Sequence, residues 1–281
     1  MKTVSLSLVL LAAIFVSFEE QEQPVIHLQG TIADVNGIGI PYVNIGISEK
    51  AVGTVSTKHG KFDLTIPADF SRDSLTISSV GFEASVIAID SLVKSKKLSN
   101  ITFILQRSFV SLPEVTVSSN PLKHKVIGNK TRSKFLSGGF SSSDLGSEAG
   151  TRIKIKRSPT FLDSVSFHLS YNKMDSLKVR VNIYDMSTGD PGINLLPENV
   201  IIKLSNKRTG IVNIDLTKYK LRLKDDILVA LELVEAAGDA QSGVFLSASV
   251  LGAPTYYRET SQAKWKKYES LSLGINCSVR F

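Results

Sequence analysis

The side chains best suited to holding a ligand gather near the end of the chain. Tyr256, Tyr257, Arg258, Trp265 and Tyr268 stand among Lys264, Lys266 and Lys267, and Trp265 is the only tryptophan. Aromatic faces beside polar groups suit sugar rings, and the cations suit acidic partners. Tyr256, Tyr257, Arg258 and Trp265 are therefore the candidate ligand-binding residues. The competing reading is an ordinary loop and strand in which Trp265 caps a core.

Other constellations are weaker. Asp34-Val35-Asn36-Gly37 opens like a calcium loop but has Ile38 where a ligand belongs and no closing glutamate, so a turn is expected. Gly37 and Gly39 are followed by Ile40-Pro41 and a strand, which makes no phosphate cradle. Ser, His and Asp all occur, yet without a Gly-x-Ser-x-Gly elbow, and Asp225-Asp226 reads as a solvated turn. His27, His59, His124 and His168 lie far apart, and Cys277 is the single cysteine, which excludes an internal disulfide and a thiolate zinc site. His168 reads as an exposed strand residue. No catalytic, metal or cofactor site is expected, and the cofactor set is none.

The elements that must position these residues are strands. In the first part of the chain Val25–Ile32, Tyr42–Ile47, Gly53–Ser56, Lys61–Ile66, Leu75–Ser78, Val86–Ile89 and Ile101–Leu105 are short, half-apolar runs separated by turn residues. Gly37, Gly60 and Gly81 fall where turns demand positive φ. Ser118 to Gly128 reads as a linker, and Ser137 to Gly150, rich in Gly and Ser, as a loop or loose edge. About eight strands follow from Thr151. Leu177–Tyr184 has Leu177, Val179, Val181 and Ile183 facing inward and Lys178, Arg180, Asn182 and Tyr184 outward, while Ile227–Val234 reads as a covered central strand.

Composition sets the class. The chain has 281 residues, of which 42% are hydrophobic and 21% charged, too apolar for a disordered tail and long enough for two domains. The net charge of +7 is spread out. Its clusters, Lys154, Lys156, Arg157 and Lys264, Lys266, Lys267, fall short of a nucleic-acid stripe, so no nucleic-acid partner is expected. Met1-Lys2, the apolar run Val4–Phe18 and the polar Glu19–Gln23 read as a secretory signal peptide, residues 1–23, too short for a spanning helix. No later stretch is long enough to span, so the mature chain is expected to carry no transmembrane helix.

The order Gly30-Thr31-Ile32, Asp34-Val35-Asn36-Gly37, Pro41-Tyr42-Val43-Asn44-Ile45, Gly53-Thr54-Val55-Ser56, Gly60-Lys61-Phe62, Ile66-Pro67 and Ser79-Val80-Gly81-Phe82 resembles the carboxypeptidase-regulatory-like domain. The resemblance implies a transthyretin-like seven-stranded sandwich over residues 24–117, an accessory module with no catalytic residues to carry over. It also places the chain among exported proteins of Gram-negative bacteria, where the module heads outer-membrane receptors. Leu112-Pro113-Glu114-Val115-Thr116-Val117 is similar to the segment that closes it. Too little chain follows for a receptor's plug and large barrel. Val181–Tyr184, Asp190-Pro191-Gly192, Val212–Leu216 and Ile227–Leu231 resemble jelly-roll-like modules of exported bacterial proteins.

The fold class expected is all-β: a transthyretin-like sandwich, a linker and entry segment at 118–150, and a jelly-roll-like sandwich at 151–281. The function expected is an exported, non-enzymatic binding or scaffold protein of the periplasm, outer membrane or cell surface, with an envelope protein or surface glycan as partner. The alternation Leu273, Ile275, Cys277, Val279, Phe281 leaves a small eight-stranded outer-membrane barrel as one alternative. A hydrolase with a spatially assembled site is the other.

Overall fold

The computed structural model describes residues 24–108, 122–205, 207–239 and 242–281. The signal peptide and the closing segment Leu112–Val117 lie outside the described residues.

Seven strands build the first sandwich: β1 (Val25–Asp34), β2 (Asn44–Ile47), β3 (Gly53–Val55), β4 (Lys61–Pro67), β5 (Ser74–Ser78), β6 (Ser85–Ala88) and β7 (Ile101–Leu105). They form a three-stranded sheet β4-β1-β7 and a four-stranded sheet β3-β2-β5-β6. Alternation along β4 buries Phe62, Leu64 and Ile66 and exposes Lys61, Asp63 and Thr65, so one face meets Ile32, Ile45 and Ile77 of the core. The turns fall where the glycines require them: Gly37, Gly60 and Gly81 have φ of 79°, 76° and 83°. Asp34 Oδ1 accepts the Asn36 and Ile38 amides at 2.9 Å each, which fixes the turn expected there. A six-residue helix, α1 (Ile89–Lys94), follows β6 and buries Ile89 and Leu92; the period-2 pattern of this part of the chain predicts no helix there.

The remainder forms two further sheets. Its strands are β8 (His124–Gly128), β9 (Ser137–Ser141), β10 (Glu148–Ile153), β11 (Thr160–Asn172), β12 (Ser176–Asp185), β13 (Val200–Ser205), β14 (Gly210–Asp215), β15 (Arg222–Leu223), β16 (Ile227–Ala237), β17 (Gly243–Ser249), β18 (Thr255–Arg258), β19 (Lys266–Tyr268), β20 (Ser272–Leu273) and β21 (Ile275–Arg280). One sheet runs β13-β12-β16-β10-β18-β19; the other runs β20-β17-β11-β21-β8, with β14 and β15 on β11 and β9 on β17. Leu162, Val165, Phe167 and Leu169 of β11 face Val179, Val181, Ile183, Val229 and Leu231 across one core. Among the described residues these strands form two open sheets rather than the single closed sheet of the barrel alternative. The β16 run Ile227–Val234 is buried on both faces, as a covered central strand is.

Three expectations are corrected. His124–Gly128, expected as linker, pairs as β8 with β21. The Gly/Ser-rich entry segment contributes β9 and β10, and β10 lies inside its sheet. Its small residues permit close packing: a Cβ on Gly139 would come within 2.0 Å of the Val244 carbonyl oxygen, and one on Gly150 within 2.4 Å of that of Val229. The polar face of β12 is covered: Arg180 and Asn182 are 2% exposed, because the first sandwich packs over it.

Candidate functional site

Two polar features stand out: a row of buried charges between the sandwiches and a basic groove at the open edge of the second.

The buried row follows from strand register. Arg180 on β12 sits opposite Glu232 on β16, Glu232 opposite Glu148 on β10, and Glu148 opposite Arg258 on β18. Charges thus run plus, minus, minus, plus across four adjacent strands. Arg180 donates Nε and Nη2 to Glu232 at 2.9 and 2.8 Å. It also reaches across the boundary, giving Nη1 to the Tyr42 carbonyl at 2.8 Å and Nη2 to Asn44 Oδ1. Arg258 donates to Glu148 at 2.8 and 2.5 Å, and Asn182 Nδ2 bridges Glu148 and Glu232 at 2.7 and 3.0 Å.

Burial pushes the Glu148 carboxyl above its ordinary range, and the adjacent Glu232 charge adds to this against the pull of Arg258. Burial acts the same way on Glu232, but the bidentate Arg180 guanidinium outweighs it and holds that carboxyl below the ordinary range. Tyr184, buried beside Glu148, is pushed well above 10. The row is neutral in sum, and a polar cavity of about 270 Å³ lies over it, lined by Asn44, Ser78, Asn194, Arg258 and Gln262.

The candidate aromatic residues divide across β18. Tyr256 is 2% exposed and its hydroxyl donates to the Gly189 carbonyl at 3.3 Å. Tyr257 is half-buried and packs on the opposite face, against the main core. Trp265 is half-buried, edge-on to Tyr184 at 5.7 Å, with the Arg258 guanidinium 4.8 Å from its ring centroid. Tyr256, Arg258 and Trp265 are thus brought together, and Tyr257 is not. Tyr268 remains exposed on β19.

The groove, of about 690 Å³, lies between β8 and β10 and the segment following β10. Its rim carries Lys125 from β8, Lys130 just beyond it, Arg152 from β10, and Lys154, Lys156 and Arg157. Among the described residues no acidic side chain lines it. Asp226 holds Arg152 at 2.8 Å and the Ile155 amide at 2.9 Å, so one of the six cations is compensated and the segment is clipped in place. Thr160 Oγ1 fixes the Arg157 carbonyl at 2.7 Å, and the Arg157 guanidinium lies 4.5 Å from the Phe281 ring centroid. Ile127, Ile155 and Phe281 form an apolar floor. Ser272, 1% exposed, lines it, and its Oγ has no hydrogen-bond partner. Lys154, Lys156 and Arg157 stand out in the sequence as a cluster; the groove does not, because Lys125 and Lys130 reach it only through the pairing of β8 with β21.

Among the described residues one Ser–His hydrogen bond occurs. His168 Nδ1 lies 2.8 Å from Ser247 Oγ, but that hydroxyl gives its single proton to the Ser133 carbonyl at 2.6 Å and is 0% exposed. Nδ1 is therefore the donor, and the pair ties strands together rather than activating a nucleophile. Among the described residues no group of three His, Cys, Asp or Glu could hold a metal ion.

Residues 28–117 match the family model of the CarboxypepD_reg-like domain, so the first sandwich is such a domain. No curated protein matches the chain. Among solved structures the chain is similar to the cysteine protease and lectin-like domains of Cwp84, a surface layer associated protein of Clostridium difficile. That match has 13% identity and a TM-score of 0.41, over 82% of this chain and 45% of the other. A structure of clostridial cysteine protease Cwp84 after propeptide cleavage matches at 14% identity and a TM-score of 0.42, over 85% of this chain and 65% of that one. The chain thus spans less than two thirds of the length of either. A structure of infectious bursal disease virus, Gx strain, matches at 11% identity and a TM-score of 0.24, over 91% of this chain and 74% of the other.

Proposed function

We propose that the protein is an exported, non-enzymatic binding and scaffold protein of the bacterial envelope whose ligand is an acidic polysaccharide held along the basic groove. The observation that carries this reading is the groove itself: six cations, one of them neutralised, around an apolar floor of Ile127, Ile155 and Phe281. Clustered charge of one sign above low-dielectric walls attracts a polyanion, and apolar side chains accept the C–H faces of its rings. Under this reading the aromatic cluster is structural. Trp265 and Tyr256 wall in Arg258, and the ligand contacts pass to Lys125, Lys154, Lys156 and Arg157. The CarboxypepD_reg-like domain, clamped to the second sandwich through Arg180, serves as a rigid spacer.

The test is isothermal titration of the full chain with a uronate-bearing polysaccharide and with a neutral glucan of equal length. Binding of the acidic polymer alone, weakened by salt, is expected. The combined substitutions Lys154→Glu, Lys156→Glu and Arg157→Glu should lower the affinity at least about tenfold, or about 1.4 kcal/mol, at unchanged thermal stability. Equal affinity for the neutral glucan, or equally tight binding of duplex DNA, would overturn the proposal.

A further inference from the structure

The ladder between β9 and β17 pairs Ser137 with Ser247, and the Ala248 amide donates to the Leu136 carbonyl one step further on, at 2.8 Å. The same register brings Phe135 level with Ser249, next to Val250 and Leu251. Two side-chain bonds hold these segments together: Asn129 Nδ2 donates to Ser249 Oγ at 2.9 Å, and Ser247 Oγ donates to the Ser133 carbonyl. Phe135 is 102% exposed, Leu251 83% and Val250 68%. Lys130, Arg132 and Lys134 alternate with Thr131 and Ser133 in the same loop, and all three are exposed. None of the three enters an ion pair among the described residues.

A single exposed apolar side chain is ordinary. Three on two bonded loop tips, with three unpaired cations in the same loop as Phe135, are a different matter. Water gives such tips nothing, and their backbone is held by hydrogen bonds rather than left free to fold the side chains inward. The pattern has the two components a peripheral lipid contact requires: apolar groups that reach the acyl boundary and cations that meet phosphate headgroups. Either component alone gives marginal binding; together they hold.

We propose that this loop pair seats the second sandwich on an anionic lipid bilayer, with Phe135, Val250 and Leu251 entering the boundary of the acyl chains and Lys130, Arg132 and Lys134 against the headgroups. The inference does not rest on the polysaccharide reading, although Lys130 and Leu251 also stand on the groove rim. An anionic surface complements the loop's charge, and a second copy of this chain would bring the same cations against themselves.

The experiment is flotation of the full chain with vesicles of phosphatidylglycerol and phosphatidylcholine, and with vesicles of phosphatidylcholine alone. Binding is expected only to the anionic vesicles and is expected to weaken with salt. Phe135→Ser with Leu251→Ser should weaken it at least about tenfold without changing the melting temperature, since both side chains are already in water. Phe135→Trp should show a blue-shifted emission component on vesicle addition that the parent chain lacks. Three results would each overturn the proposal: no binding to anionic vesicles at low salt, binding unchanged by the paired serine substitutions, or a concentration-dependent dimer that those substitutions dissolve in place of vesicle binding. Loss of vesicle binding with polysaccharide binding intact in the serine variant would separate this surface from the groove; failure of the groove reading alone would leave the vesicle result standing.

Discussion

Replacement of Arg180 by alanine tests whether the buried charge row locks the two sandwiches together. The side chain is 2% exposed and makes five hydrogen bonds: two to Glu232, and one each to the Tyr42 carbonyl, Asn44 and Asn199. Arg180→Ala strands Glu232, which is 0% exposed, and opens the carbonyl of Tyr42 and the amide of Asn44 on the first sandwich. Removing one partner of a buried ion pair costs about 3–5 kcal/mol, because the remaining charge stays out of water. For a chain of this size a melting-temperature drop of about 6–20 °C follows.

The pH dependence sharpens the test. In the parent chain Glu232 is held below the ordinary carboxylate range, so its contribution is present above that range and lost as pH falls through it. In the variant the guanidinium is gone, and burial beside the Glu148 carboxylate is opposed only by the more distant Arg258 and the Asn182 amide, so the Glu232 pKa is expected to rise above its unfolded value. The penalty is then small below the unfolded pKa and grows as pH rises through the new folded one. Calorimetry at pH 5 and pH 8 should therefore show a larger deficit at pH 8. The double substitution Arg180→Met with Glu232→Leu should recover part of the loss, since no charge is left unpaired. A deficit below about 1 kcal/mol, or one that is the same at both pH values, would refute the reasoning.

Other consequences are simpler to read. Burial pushes the Cys277 thiol up to about 12, so it should resist alkylation at pH 8 in the native chain and react only on unfolding; stoichiometric native labelling would contradict its position in β21. Burial, with Arg132 and Lys134 nearby, holds His168 below 6.5; the neutral ring's contribution to stability is then complete above 6.5 and lost as pH falls through the lower folded value. Nitrogen-detected NMR should find the neutral ring's proton on Nδ1, and a proton on Nε2 alone would count against the bond to Ser247, while a titration midpoint above 6.5 would count against its burial beside Arg132 and Lys134. Gly150→Ala should cost about 1–3 kcal/mol in urea melts, because its Cβ would lie 2.4 Å from a carbonyl oxygen of β16. Gly189→Ala, where nothing lies within 4 Å but φ is 96°, should cost about 1–2 kcal/mol from backbone strain alone.

Why some of this is legible in the sequence and some is not has a physical answer. Turn glycines and period-2 runs are local, so the seven strands of the first sandwich and the covered strand Ile227–Val234 can be read directly. The period is also right along Leu177–Tyr184, but the environment of its polar face is not. A strand's alternation says which residues share a side, and nothing about what later covers that side. Arg180 and Asn182 look solvent-facing because Glu232 and Glu148 stand far from them in the chain and meet them only through the register of β10, β12 and β16. The available signal is Glu232 itself, a lone charge inside an apolar run, which demands a buried cation somewhere. The same limit hides β9 and β10: Ser137-Gly138-Gly139-Phe140-Ser141 has the Gly and Ser content of a loop, and at Gly139 and Gly150 the neighbouring strands leave room for backbone and little else.

That limit also bears on where a ligand can meet this molecule. Aromatic and cationic residues close in sequence draw attention to Tyr256–Trp265, yet β18 sends neighbours to opposite faces, and its Arg258 is already committed to Glu148. The groove's uncommitted cations come from separate stretches, Lys125 and Lys130 on one side and Lys154, Lys156 and Arg157 on the other, brought together by the pairing of β8 with β21 and the turn after β10. Charge satisfied within the fold contributes stability and specificity of packing, whereas charge left without a partner is available to something outside it. On that distinction the row under the first sandwich is architecture, and the groove with its unpaired cations is where the proposed acidic ligand is to be sought.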